Sequence, residues 1–310
     1  MSQAVSDQSV PVTGAGAGAG AAHKAHRVKR VNQRARAVKR AKRVALHMLL
    51  MLGMLVSVFP FYWTAVMATN TTEDMYRNPP ALVPGPHLVG NIQRVFDNVD
   101  FMGALANTII VACATTFLVL LIDSLAAFTF AKYEFPGSRM LFRVLLLTLM
   151  LPAQLSLIPR FVLMVELGWA GSLSSLIFPG VANAFGIFLM RQYIQGSVPD
   201  DLLQAARLDG CGFLRQYWHV ALPAIRPGLA FLGIYTFIIA WNDYAWPLVA
   251  LVDPEKVTLQ VALARLNTAH HTDYSMVMAG TLLAVLPLVV VFILFARQFI
   301  RDVMKGALRG

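Results

Sequence analysis

In this chain of 310 residues, 57% are hydrophobic and only 14% charged, against roughly 25% charged in a soluble domain, and the mean hydropathy is +0.60. That balance excludes a soluble enzyme and points to a membrane chain. The net charge of +10 is not a nucleic-acid signal, because ten of the 26 Lys and Arg residues lie between Lys24 and Arg43, just before the first apolar stretch. A basic block in that place sets topology on the cytoplasmic side and meets anionic headgroups. Two cysteines, Cys113 and Cys211, have neither disulfide-framework nor metal-ligand spacing, which excludes redox and zinc chemistry.

In chain order, residues 1–43 read as a disordered basic cytoplasmic tail, opening on a GAGAGAG run that has no apolar period. Residues 44–310 form the transmembrane part. Six apolar spans are predicted at 44–68, 104–130, 140–159, 172–190, 227–252 and 276–296. They lack the alternation of barrel strands, so the predicted fold class is all-α, a polytopic membrane protein of six transmembrane helices. The first span is longer than a signal-peptide core and is followed by five more. With the N-terminus inside, 21 Lys and Arg residues fall on the cytoplasmic side and five outside, so both termini are predicted to be cytoplasmic. The outer connection 69–103, with Pro79, Pro80, Pro84 and Pro86, predicts ordered loop or short helix rather than a domain.

The cytoplasmic connection 191–227 is the most informative stretch. It predicts two short helices: Ser197 caps the first, Pro199 suits its first turn, Asp200 and Asp201 suit its positive end, and Gly210 gives a left-handed exit. Gly212 opens the second, over 213–220, and Pro223 and Pro227 close it. Leu202, Leu203, Ala206, Phe213, Tyr217 and Trp218 are then available for contact. From the residues alone, a surface that docks a soluble partner and a loop lying on the headgroups are equal readings.

QAARLDG at 204–210, nine further residues, then Val220, Ala221, Leu222 and Pro223 resemble the Glu-Ala-Ala loop of binding-protein-dependent ABC importer permeases. Ala205, Ala206, Gly210, Val220, Leu222 and Pro223 match that pattern; Gln204 stands where the family has Glu, which puts a charge-based contact there in doubt. FAKYEFPG at 130–137, LPAQLSLIP at 151–159, FGIFLMRQY at 185–193 and WNDYAWPL at 241–248 resemble the carbohydrate, maltose-permease-like branch. The resemblance runs from about residue 44 and is strongest over 101–297.

It implies a coupling loop docking on a cytoplasmic ATPase through Gln204, Ala205, Ala206, Arg207, Asp209, Gly210, Phe213, Leu222 and Pro223. It also implies a second homologous permease, an ABC ATPase dimer and an extracytoplasmic substrate-binding protein, in a bacterial cell membrane. The chain has no GxxxxGK[ST] phosphate loop, so no cofactor is expected in it, with ATP and Mg held by the ATPase. The implied function is import of a sugar or oligosaccharide; a polyol or glycerol-phosphate is the alternative cargo.

Polar residues inside spans are costly and need a reason. Asp123 reads as structural rather than as a substrate contact. Gln154, Asn183, Trp241, Asn242 and Asp243 are the candidate substrate path, against a packing role for each. Pro179, Gly180 and Pro287 read as kinks. An intramembrane enzyme is disfavoured, because Asp123 and Asp243 fall on different spans at opposite depths. His270 and His271 read as solvated.

Overall fold

The computed structural model describes the backbone of residues 17–253, 256–267 and 273–307, with side chains for 39–40, 42–253, 256–267 and 273–294. His270 and His271 lie outside the described residues. Among the described residues all regular structure is helical. The chain divides into two units at Tyr62 and Trp63.

Helix α1 is Ala17–Thr69, with Pro60 inside it. It takes in much of the segment predicted to be a disordered tail; residues 1–16 of that tail lie outside the described residues. The Ala, Arg and Lys content of 17–43 explains the difference, since these are strong helix formers that extend a helix already nucleated by the apolar run. In the first unit the side chains from Leu46 to Phe61 face outward along every side of the helix, including Leu49, Met51, Leu52, Leu55 and Phe59.

The second unit holds the packed body. The connection 69–103 forms α2 (Thr72–Tyr76) and α3 (Leu88–Asn98). Thr71 and Asp74 cap α2 reciprocally, the carboxylate accepting the Thr71 N–H at 3.2 Å. Helix α4 (Phe101–Lys132) starts with the Asp100 carboxylate accepting the Gly103 N–H at 2.9 Å and is the central element, packed on later helices along its whole length.

The third predicted span is broken. Helices α5 (Ser138–Thr148) and α6 (Leu157–Glu166) meet at 100°, with a 3₁₀ turn at Ala153–Ser156 between them. Pro152 lacks the N–H that would continue α5 and steers Leu151 away from helical geometry. The fourth is α7 (Ser174–Ile177), a 3₁₀ turn at Phe178–Gly180 and α8 (Ala184–Ser197), bent by 41° at the predicted Pro179-Gly180 kink. Helix α9 (Asp200–Leu208) and α10 (Phe213–Gln216) follow.

A π-helical turn at Tyr217–Ala221 joins α10 to α11 (Leu222–Asn242), giving one helix of 30 residues from Phe213 to Asn242. Pro223 and Pro227 therefore do not close the second elbow helix as predicted. The wider π turn relieves the clash of the Pro223 ring with the preceding turn, and Pro223 sits where its missing N–H is not needed. The fifth predicted span also breaks: α11 ends at Asn242, and after Asp243 and Tyr244 comes α12 (Ala245–Ala250). Helices α13 (Leu259–Arg265) and α14 (Tyr274–Ala307), with Pro287 inside the latter, complete the chain.

Among the described residues four helical stretches are long and apolar enough to cross a membrane, or up to six if each bent pair counts as one span. Among the described residues four apolar clusters hold the body together, and two of them are the largest. One gathers Phe128, Met190, Ile194, Leu203, Tyr217 and Ile225 from α4, α8, α9 and α11 with its π turn. The other gathers Val95, Ala112, Trp241, Leu259 and Ala279 from α3, α4, α11, α13 and α14.

Candidate functional site

The elbow forms where it was predicted, at the end of the body that also carries the C-terminus of α4. Asp200 and Asp201 stand in the first turn of α9, where the helix dipole favours negative charge. At the other end Gly210 has φ +77, and the chain turns back with the Cys211 N–H donating to the Ala206 carbonyl at 2.8 Å. This left-handed exit satisfies a carbonyl that the helix leaves unpaired, and only glycine takes it without strain. Ser197 does not cap α9. It closes the last turn of α8, and Pro199 holds the cap position with no side-chain hydrogen bond.

Side chains of the elbow are bolted to the end of α4. Phe213 lies 5.6 Å from Phe128 and 5.1 Å from Tyr133, ring centre to ring centre, and Tyr217 lies 5.7 Å from Phe128. Each such pair adds about 0.5–1.5 kcal/mol beyond area burial. The Tyr217 hydroxyl shares a 2.6 Å hydrogen bond with Ser124, and the Tyr133 hydroxyl donates to Gln216 at 2.9 Å. Gln216 in turn donates to the Cys211 carbonyl at 2.6 Å. Lys132 pairs with Asp200 at 2.7 Å, and the Arg207 guanidinium lies 5.2 Å from the Tyr133 ring centre. Two helices and the turn between them are thus tied by aromatic contacts, hydrogen bonds and an ion pair to the C-terminal end of α4.

Burial sorts the predicted contact residues. Leu203, Ala206 and Tyr217 are buried within the chain and are not available to a partner, contrary to expectation, because the aromatic cluster draws that face of the elbow inward. Phe213 and Leu222 are half-buried. Gln204, Ala205, Arg207, Asp209, Gly210 and Pro223 are exposed, and Leu202, Leu208, Leu214 and Trp218 add apolar surface, with Leu208 90% exposed.

The polar residues of the candidate path fall in several places. Trp241 is only 2% exposed, stacked on Phe237 at 5.5 Å in the second core. Asn242 is exposed and donates to the Ile238 carbonyl at 2.8 Å. Asp243 sits at the break between α11 and α12 and accepts from the Trp246 N–H at 3.4 Å. Gln154 is exposed in the 3₁₀ turn before α6. Asn183 caps α8, its side-chain oxygen accepting the Phe185 N–H at 2.9 Å. Among the described residues no hydrogen bond joins Gln154 or Asn183 to the 241–243 group.

The sequence reading missed Arg160, counted only as an outer-loop cation. Its guanidinium lies 4.6 Å from the Trp246 ring centre, and the Asp243 carboxylate attracts it. The Trp246 indole donates to the Ser175 carbonyl at 2.9 Å, so α6, α7 and α12 meet around one cation. No sequence spacing links residues so far apart.

Asp123, as expected, is structural: fully buried, it accepts the Asn183 N–H at 3.0 Å. Gly186 lies against the same carboxylate, which any side chain there would strike.

Long apolar helices and broken ones packed on α4 in the second unit, with an exposed helix–glycine–helix elbow attached to them, are the architecture of a polytopic membrane protein. By family, the chain belongs to the binding-protein-dependent transport system inner membrane components, whose model matches residues 123–305. It is therefore a permease subunit of an ABC importer and not an enzyme. It is 32% identical over 268 residues to the sn-glycerol-3-phosphate transport system permease protein UgpE of Yersinia pestis bv. Antiqua (strain Antiqua), covering 84% of this chain and 95% of that protein. To the protein of the same name from Agrobacterium fabrum it is 33% identical, covering 85% of this chain and 96% of the relative. A chain of a bacterial ABC transporter involved in import of the acidic polysaccharide alginate has the same fold, with a TM-score of 0.74 at 24% identity, covering 84% of this chain and 97% of that one.

Proposed function

We propose that this subunit crosses the membrane six times, each bent pair counting as one crossing, with both termini in the cytoplasm. It forms one half of a substrate path whose other half is a second, homologous permease. Gln154, Asn183 and Asn242, exposed on this chain, would face the path or the partner permease, with Asp243 and Arg160 beside them. Trp241 supports the path from behind.

The elbow is the coupling element. An ABC ATPase dimer, which binds ATP and Mg, docks on its exposed face around Gln204, Arg207, Leu208 and Asp209. An extracytoplasmic substrate-binding protein delivers the cargo, as in the alginate transporter solved with an alginate-pentasaccharide-bound periplasmic protein. The observation that supports this reading is the packing of an exposed elbow onto α4 through Phe128, Tyr133, Phe213 and Tyr217. A partner that pulls on the elbow must move α4.

The cargo proposed is a sugar or oligosaccharide. Glycerol-phosphate is the second reading, favoured by the names of the relatives and by the half-buried Arg160. Uptake by proteoliposomes holding the full complex, with labelled maltodextrin and with labelled glycerol-3-phosphate, tests both. ATP-driven uptake of one of them supports the reading; uptake by this subunit without an ATPase contradicts it.

A further inference from the structure

Beside the elbow, at the turn from α4 into α5, lies a polar cleft of about 810 Å³ that includes Lys132, Glu134, Arg139, Arg143, Arg191 and Asp200 in its lining. Lys132 is neutralised by Asp200 at 2.7 Å. Arg191 is fixed in place: its Nε donates to the Phe130 carbonyl at 3.2 Å and its guanidinium lies 4.3 Å from the Phe142 ring centre. Arg139 and Arg143 are exposed and form no hydrogen bond or ion pair among the described residues. Three guanidinium groups therefore share the cleft with one remaining carboxylate, Glu134.

Two further features make the excess charge unfavourable unless an anion is present. Arg139 and Arg143 are four residues apart on α5 and repel one another. Arg139 also stands in the first turn of that helix, where the dipole disfavours cations, and Gly137 offers no side-chain cap. Apolar surface adjoins the charge: Met140, Val144 and Leu147, at helical spacing on α5, are 71%, 49% and 60% exposed. A ligand matched to this surface is anionic at one end and apolar along its length.

We propose that the cleft binds the phosphate headgroup of an anionic phospholipid of the cytoplasmic leaflet, with an acyl chain along Met140, Val144 and Leu147. This rests on the orientation proposed above. Because Asp200 of α9 lines the same cleft, the bound headgroup sits against the coupling elbow.

The test is native mass spectrometry of the assembled importer in nanodiscs of phosphatidylglycerol and phosphatidylcholine, comparing wild type with a combined Arg139→Gln, Arg143→Gln variant. Wild type should retain phosphatidylglycerol, and the variant should lose it by about tenfold or more, as expected for two cationic contacts to an anionic headgroup. Phosphatidylcholine retention should not change, and Arg139→Lys with Arg143→Lys should keep the lipid. Equal phosphatidylglycerol retention in wild type and the Gln variant overturns the site. Displacement of the lipid by excess inorganic phosphate assigns the cleft to a free anion instead. Loss of the ATPase at unchanged lipid retention assigns it to that protein. Ser138→Cys labelled only by reagent added from outside overturns the cytoplasmic placement, while lipid retention still reads the site itself.

Discussion

The Asp123 carboxylate accepts the Asn183 N–H at 3.0 Å, joining the middle of α4 to the point where the chain bends into α8. That bond adds to the apolar packing of Phe128, Met190 and Ile194 between the two helices from which the elbow is suspended, since α8 leads into α9 and the end of α4 carries the aromatic cluster. Asp123→Asn keeps the acceptor and removes an ionisable group whose charged form costs about 2.5–3.5 kcal/mol to place in a span on insertion scales. Its assembled complex should melt at or above the wild-type temperature. Asp123→Leu leaves the Asn183 N–H unpaired and should cost about 1–3 kcal/mol. Thermal melts in detergent check both.

Gly210 has a left-handed backbone that a β-branched side chain strains by roughly 1–2 kcal/mol. Gly210→Val should insert and assemble but lose most coupled uptake, while Gly210→Asn should keep more, because Asn tolerates this conformation. Uptake normalised to membrane-inserted protein reads the difference.

Trp241 fills the second core, so Trp241→Ala should lower stability by about 3–5 kcal/mol, the usual cost of a large aromatic cavity. Asn242→Ala removes only an exposed side chain bonded to its own helix and should leave the stability within about 0.5 kcal/mol of wild type. A change in uptake kinetics for Asn242→Ala at unchanged stability places it on the path.

Just before α14, burial pushes the Asp273 carboxyl up. Hydrogen bonds from Ser275 and Thr72, with the Met276 N–H and the Arg94 guanidinium, outweigh this and hold it below the usual carboxylate range. A lowered native value means stability that is present at neutral pH and lost as pH falls below about 4. Asp273→Asn should melt lower than wild type at pH 7, and the gap should narrow as acid protonates the native carboxyl. A gap that widens with acid contradicts this.

Elements whose causes are local were legible in the sequence. The Gly210 exit, the acidic first turn of α9, the Pro179-Gly180 bend and the spans at 44–68 and 104–130 all follow from a few neighbouring residues. Where two causes compete, local reading failed. Ser197 has the chemistry of a cap but is taken by the last turn of α8, and Pro223 has the chemistry of a helix end but is absorbed by a π turn. Contacts made by packing were beyond reach: nothing in the spacing of Phe128, Tyr133, Phe213 and Tyr217 announces that they share one cluster, nor that Arg160 stacks on Trp246. Pattern therefore exposed the elbow itself but not which of its faces turns outward.

The face that meets the ATPase is the central claim, and Leu208, the most exposed apolar residue of the elbow, probes it directly. In a background with Cys113 and Cys211 replaced by serine, Leu208→Cys should form a disulfide with a cysteine introduced on the membrane-facing surface of the ATPase, and locking that bond should stop uptake. A Leu208→Cys that never cross-links to the ATPase, and that reacts only with impermeant thiol reagent added from outside the cell, contradicts the account.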